Sequence, residues 1–275
     1  MIMDIIYFGN CSIDEIILKD SKVKSFCGSA LNSALISSLS KLNIAVVSVI
    51  GQDFDKSVFG NVLFFGEEKK CNSNCFEINE ELGYCLLKSS EYLSLDNIPK
   101  LKCKHLHISF RKGVELDKIF SSKIKYDSLS IDVMTHSLSQ FVTLIEKYKD
   151  KIDFIFCNAE EYKILKNILF NKTKIIVTNE GKPILYIEKD KVTSYSIPPV
   201  DFKILSMTGA GDSFIGGFLS AWLQTRSILS SIINGVAGAN LCLQNYGNDK
   251  IKKNDLEKEK KRIESLIFEY CIPKN

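Results

Sequence analysis

The sequence holds little proline (5), few histidines (3) and almost no net charge among its 275 residues. With so few prolines and no serine-rich tract, there is no proline-rich linker. A composition of 45% hydrophobic and 25% charged residues excludes a disordered or collagenous chain. Lys+Arg 36 against Asp+Glu 33 leaves +3, too weak a field to mark a nucleic-acid-binding protein or one that docks on an anionic membrane. No apolar run approaches the ~20 residues that a bilayer-spanning helix needs. The opening MIMDIIYFGN has no basic stretch ahead of its short apolar run, so it reads as a buried strand rather than an export signal. The length suffices for a sizeable core, in one large domain or two small ones.

Nine cysteines are scattered along the chain and read as reduced core residues of a cytoplasmic protein. Cys71 and Cys75 are the one close pair, and no second pair follows at the spacing a zinc site requires. His105 and His107 alternate in KHLHIS, which reads as a strand. Two histidines on one strand face either hold a metal or pack without function, and packing is the commoner outcome.

Short β-branched runs alternate with longer helical stretches. Strands are expected over residues 4–8, 44–50, 105–109, 129–132, 153–157 and 174–178. Most are near-continuous apolar runs, as in strands covered on both faces. Helices are expected over residues 29–42, 116–120, 138–148 and 160–169. This order predicts an α/β protein with a parallel sheet and helices on both faces. Residues 184–188 and 192–196 read as an antiparallel hairpin at one sheet edge. Helices follow at 212–224, 228–244 and 256–270. In the last, Leu256, Ile263, Leu266, Ile267 and Tyr270 form one stripe, and the run KEKKRIE is its solvated face. Residues 71–95 are less regular and read as an excursion from the main domain.

The chemistry concentrates in MTGAGDSF, residues 207–214. Gly209, Ala210 and Gly211 precede an apolar helix carrying Phe214, Ile215, Phe218, Leu219 and Trp222. The first N–H groups of a helix have no partner in its own ladder. Residues this small let a phosphate approach the backbone, and the helix dipole adds partial positive charge there. Asp212 lies in the first turn, where a carboxylate either caps the helix or accepts a proton from an attacking hydroxyl. On this tetrapeptide alone both readings stay open. A P-loop is excluded because no Gly-x4-Gly-Lys-Ser/Thr occurs, and a dinucleotide fingerprint because position 214 is Phe.

Residues 208–214 resemble the C-terminal signature of the ribokinase-like (PfkB) carbohydrate kinases. Further matches follow in the family's order: Gly9-Asn10-x3-Asp14 after the first strand, Gly28-x3-Asn32-x-Ala34 opening a helix, Gly51-x-Asp53 with Phe59-Gly60, Asn158-x-x-Glu161, and Thr178 ending a strand. The resemblance covers nearly the whole chain. It implies a three-layer α/β/α sandwich with a mostly parallel central sheet and a small β lid. The kinase domain would span 1–275, with lid strands from about 15–27 and 75–93.

The resemblance also implies phosphoryl transfer from ATP to a hydroxyl, usually a hydroxymethyl, of a sugar or sugar derivative; a nucleoside kinase of the same fold is the alternative. Asp212 would be the general base, and the backbone of Gly209, Ala210 and Gly211 the anion hole. Asp14 and Asn32 would bind acceptor hydroxyls, with Gly28 letting the acceptor lie against the backbone. Thr178, Gly181 and Thr208 would contact nucleotide. Asn158 and Glu161 would hold Mg2+ through water. A non-catalytic ligand-binding relative would be expected to lack Asp212 or the glycines, and this chain keeps them.

Two departures stand out. Ser206-Met207-Thr208 replaces the usual Asp-Thr-Thr, which leaves potassium dependence open, and Asn179-Glu180 delays Gly181 by one step after Thr178. Only 13 residues separate Asp14 from Gly28, so the lid is small. A second chain covering the substrate, as a homodimer through the lid, is an expectation that follows.

Overall fold

Strands apolar along their whole length need cover on both faces, and the chain supplies it with two layers of helices. The computed structural model describes residues 2–272 apart from 80, 83, 90–92, 110–118, 120–122, 134–137 and 190. At its centre is a 10-stranded sheet of order β14-β13-β12-β11-β10-β9-β8-β1-β4-β5. The strands β1 (Met3–Phe8), β4 (Ile44–Gly51), β5 (Leu63–Lys69), β8 (Lys102–Ser109), β9 (Lys125–Asp132), β10 (Phe154–Asn158) and β11 (Lys174–Thr178) are parallel. Antiparallel β12 (Ile184–Glu188), β13 (Lys191–Tyr195) and β14 (Glu269–Ile272) complete one side. This is the expected α/β/α sandwich.

Alternation along each strand divides the core. Ile5, Tyr7, Phe154 and Phe156 face α1 (Ser29–Ser38), α4 (Ala210–Thr225), α5 (Ile228–Leu243) and α6 (Lys253–Glu264). Ile6, Phe8, Ile155 and Cys157 face α2 (Leu138–Tyr148) and α3 (Ala159–Leu165). Within the first layer the backbones approach closely. A Cβ on Gly216 would lie 2.2 Å from the Ser33 carbonyl oxygen, and one on Gly217 2.2 Å from that of Asn234. Glycine therefore lets α4 seat between α1 and α5.

A second sheet, of order β3-β2-β6-β7, forms the lid. Its strands are β2 (Ser12–Ile17), β3 (Lys22–Cys27), β6 (Cys75–Asn79) and β7 (Tyr84–Leu87). The β2–β6 pair is parallel and the outer pairs are antiparallel. Gly51 and Asp53 grip the return to the lid: Gly51 N–H donates to Ser73 Oγ at 2.9 Å, and Ser73 N–H to Asp53 Oδ1 at 2.6 Å. On β2, Glu15 meets Lys22 at 2.9 Å and Lys88 at 2.8 Å, and these ammonium groups hold its carboxyl down to about 2.

The helices expected at 29–42 and 160–169 end early, at Ser38 and Leu165. Residues 116–120 lie almost wholly outside the described residues. The C-terminal helix stops at Glu264, and Glu269–Ile272 pairs with β13, so the hairpin is not the sheet's edge. The stripe at Leu266, Ile267 and Tyr270 kept helical spacing, but β13 offered an unpaired ladder. Ser196 closes the corner, its N–H donating to Phe268 O and its Oγ accepting the Phe268 N–H, each at 2.9 Å. Strand β5 escaped the sequence reading because its alternation is weak and half exposed.

His105 and His107 are fully buried. The His105 ring nitrogens lie 2.7 Å from Ser128 Oγ and Ser130 Oγ, and His107 Nδ1 lies 2.8 Å from Ser130 Oγ. Burial, with Arg226 nearby, lowers His105 to about 3, so the ring stays neutral. Serine hydroxyls occupy the positions a metal would need, and the pair is a polar ladder inside the sheet. Among the described residues no helix is long and apolar enough to cross a membrane.

Gly217→Ala is expected to destabilise the protein by about 1–3 kcal/mol through overpacking against the Asn234 carbonyl. Urea unfolding should show a lower midpoint with an unchanged slope; an unaltered midpoint would contradict the close α4–α5 packing.

Candidate active site

In open α/β sheets, ligands bind beyond the carboxyl ends of the strands. Here β8 and β9 end together, with Ser109 opposite Asp132, and β10 and β11 end together, with Asn158 opposite Thr178, two residues beyond Phe156, the partner of Asp132. A cavity of about 200 Å³ opens at this edge. Asp132, Asn158, Glu161, Thr178, Gly211 and Asp212 are among the residues lining it.

The turn before α4 shapes one wall. Gly209 is left-handed, at φ 83, and a Cβ there would lie 2.4 Å from Asn32 Nδ2. Both requirements select glycine. Its carbonyl accepts the Ser213 N–H at 2.9 Å and the Ser213 hydroxyl at 2.7 Å. The Ala210 N–H donates back to Met207 O at 3.3 Å, so it closes the turn. Gly211 is exposed, with open space where a Cβ would sit. Of the expected anion-hole residues it is the one that lines the cavity.

Asp212 is half-buried and reaches towards α1. Asn32 Nδ2 lies 3.5 Å from Asp212 Oδ2, and the Ser33 hydroxyl donates to Asp212 O at 2.8 Å. On the lid side, β2 brings Asp14 within electrostatic reach of Asp212. Asp14 is 4% exposed, and burial raises its carboxyl from 3.8 to about 6. The charge of Asp212 adds to that rise, while Ser12 and Cys27 oppose it. Asp14 Oδ1 and Asn32 Oδ1 are buried acceptors without a protein donor. Two such oxygens beside one carboxylate call for a ligand rich in O–H or N–H groups.

Gly28 has a different local role from the one expected. At φ 107 it caps α1, and its missing Cβ would strike Asn10 O at 2.4 Å. The chain's own backbone fills that space. Asn10 in turn caps α1, accepting from Ser29 N–H at 3.2 Å and from the Ser29 hydroxyl at 2.7 Å.

Asn158 and Glu161 form a capping box at the start of α3. Glu161 N–H donates to Asn158 Oδ1 at 2.9 Å, and Asn158 N–H donates to Glu161 Oε2 at 2.8 Å. The box holds both side chains at the cavity rim. With Asp132 they make a set of one amide and two carboxylates. Mg2+ retains several waters and takes few protein oxygens, so this set fits it. Sequence reasoning missed Asp132, although a carboxylate ending a parallel strand was a readable signal.

The remaining candidates lie outside this cavity. Gly181 is exposed in a turn at φ 80, after Glu180 at φ 42. The Thr208 N–H donates to Ser206 Oγ at 3.2 Å. Ser206 is buried.

Comparison with known proteins agrees with this fold. The nucleoside kinase of Methanocaldococcus jannaschii is 23% identical over 251 residues, covering 82% of this chain and 81% of that protein. Its crystal structure superimposes with a TM-score of 0.74 at 19% identity, covering 94% of this chain and 99% of that one. Aminoimidazole riboside kinase from Salmonella enterica, solved with aminoimidazole riboside and an ATP analogue, also gives 0.74, at 15% identity over 94% of this chain and all of that one. At these identities the superpositions establish the fold. Adenosine kinase 2 of Arabidopsis thaliana is 25% identical over 139 residues, 42% of this chain and only 40% of that protein. The family model for the pfkB family carbohydrate kinases matches residues 115–254, and the chain belongs to this family of phosphotransferases with an alcohol acceptor.

Proposed function

We propose that this protein transfers the terminal phosphoryl group of ATP to a hydroxyl, usually a hydroxymethyl, of a sugar or sugar derivative. The observation that carries the reading is the convergence at one sheet edge of the α4 N-terminus, Asp212 and the buried acceptors Asp14 and Asn32. The acceptor's neighbouring hydroxyls would donate to Asp14 Oδ1 and Asn32 Oδ1. Its reacting hydroxyl would then lie against Asp212, which takes the proton as the oxygen attacks phosphorus. The α4 N-terminus at Gly211 would oppose the charge that develops on the transferring group. Asn158, Glu161 and Asp132 would hold Mg2+ together with its waters; the ion neutralises phosphate charge when bound. Thr178, at the far wall, would contact nucleotide, and Gly181 and Thr208 remain candidates for its outer contacts.

A nucleoside acceptor is the second reading. The names of the relatives favour it, since they include nucleoside, adenosine and cytidine kinases. Sugars and nucleosides share the hydroxyl pattern that Asp14 and Asn32 would read. The same proposal places the protein in the cytoplasm, where ATP and free thiols coexist. It also includes a homodimer through the lid, which exposes Leu86 on its edge strand β7 and Leu82 just before that strand.

ADP release with Mg-ATP and a panel of sugars, sugar phosphates, sugar amines and nucleosides should identify the acceptor. Asp212→Asn should retain nucleotide binding and lose about 10²–10⁴-fold in turnover. Undiminished turnover would show that another group takes the proton.

The raised Asp14 carboxyl gives a pH test. A folded pKa above the unfolded one means that the native state holds the proton more tightly. The stability this lends is therefore full below 3.8 and is lost as pH rises through about 6. Asp14→Asn should stabilise the ligand-free protein at pH 8 by on the order of 3 kcal/mol, and by much less at pH 4. The wild-type acceptor KM should fall as pH rises from 5 to 7, and that dependence should vanish in the variant. Equal stability gains at both pH values would refute the assignment.

Sedimentation velocity should show a dimer that Leu86→Glu converts to monomer. A wild-type monomer at working concentration would remove the lid interface.

A further inference from the structure

The short segment Tyr246-Gly247-Asn248 after α5 has no part in the mechanism above, yet it touches the lid, α1 and α4. Gly247 has φ 97, and a Cβ there would lie 2.4 Å from Ser25 Oγ. The Ser25 hydroxyl donates to Tyr246 O at 3.0 Å, and Ser25 stands opposite Asp14 in the β2–β3 pairing. The segment is thus fastened to the lid strand beside the acceptor carboxylate.

Asn248 is 3% exposed; its Nδ2 serves the other two elements, and its Oδ1 is a buried acceptor without a protein donor. Its Nδ2 donates to Asn32 O on α1 at 3.2 Å and to Ser213 Oγ on α4 at 2.7 Å. The Ser213 hydroxyl passes its own proton on to Gly209 O at 2.7 Å. One side chain therefore ties the helix bearing Asn32 to the left-handed turn that precedes Asp212. A buried primary amide with two donated bonds fixes relative position in a way an apolar residue of equal size cannot.

We propose that Asn248 is a positioning residue for phosphoryl transfer, which acts through Ser213 to hold the Asp212 turn against the helix that carries Asn32. The proposal rests on Asp212 being the base. Misplacing a base by a fraction of an ångström lowers turnover while binding persists.

Asn248→Leu keeps the shape, adds no charge and removes both donated bonds. With Mg-ATP and the best acceptor from the panel, it should lower kcat by about 10–100-fold. Acceptor KM and the dissociation constant of a non-hydrolysable ATP analogue should stay within about twofold, well under the 1.4 kcal/mol that a tenfold change represents. Ser213→Ala should lower kcat in the same direction, and the double variant should fall no further than Asn248→Leu alone. A kcat within about twofold of wild type for Asn248→Leu, or a double variant equal to the product of the singles, would overturn the proposal. Ser213→Ala removes only a hydroxyl, so it tests the same bridge if the Asn248 variant does not fold; an unchanged kcat there overturns the proposal as well. Loss of turnover in Asp212→Asn without loss in these variants would leave the base in place and remove only its positioning by Asn248.

Discussion

The architecture depends on how closely α4 seats against α1. Gly216 brings the two helices to backbone contact, and the Ser33 hydroxyl bonds Asp212 O at the upper end of the same interface. That contact sets where the first turn of α4 lies over the sheet. The turn carries a helix N-terminus and a carboxylate on the same few residues, so on the proposed function its placement would decide both where a phosphate sits and where a proton goes. The parallel strands supply the complementary half. They end at Asp132, Asn158 and Thr178, the last two opposite each other, and all three line the cavity between the two halves.

The lid adds a cost that serves binding. Period-two alternation on β2 sends Glu15 outward to Lys22 and Lys88 and sends Asp14 inward, away from water. The outward pair stiffens the small sheet. The inward carboxylate faces a second carboxylate with an unsatisfied oxygen, a state that the hydroxyls of the proposed acceptor would relieve. On the proposed function, stability given up in the empty protein would become affinity for a polyhydroxyl ligand, as is common where sites hold unpaired polar groups.

Much of the candidate site was legible because its signals are local. The glycines of residues 209–211 and the apolar helix behind them read as a helix start, and Asn158-x-x-Glu161, matched only by resemblance, proves to be a capping box. The parallel strands were legible for the same reason, being continuous apolar runs. What escaped reading depends on distant partners. The spacing of Leu266, Ile267 and Tyr270 suits a helix, and only the open edge of β13 turns that segment into a strand. Gly28 was read as room for a ligand, but Asn10 occupies that room. Asn248 has no local pattern at all; its meaning comes from Asn32 and Ser213, 216 and 35 residues away.

The central claim is that the α4 N-terminus cradles the phosphate to be transferred while Asp212 faces the incoming hydroxyl. The most direct measurement is a crystal structure with a non-hydrolysable ATP analogue. The account predicts the terminal phosphate within hydrogen-bonding distance of the Gly211 N–H, between Asp212 and the Asn158–Glu161 rim. A terminal phosphate bound elsewhere on the sheet edge, out of reach of Gly211 and Asp212, would contradict it.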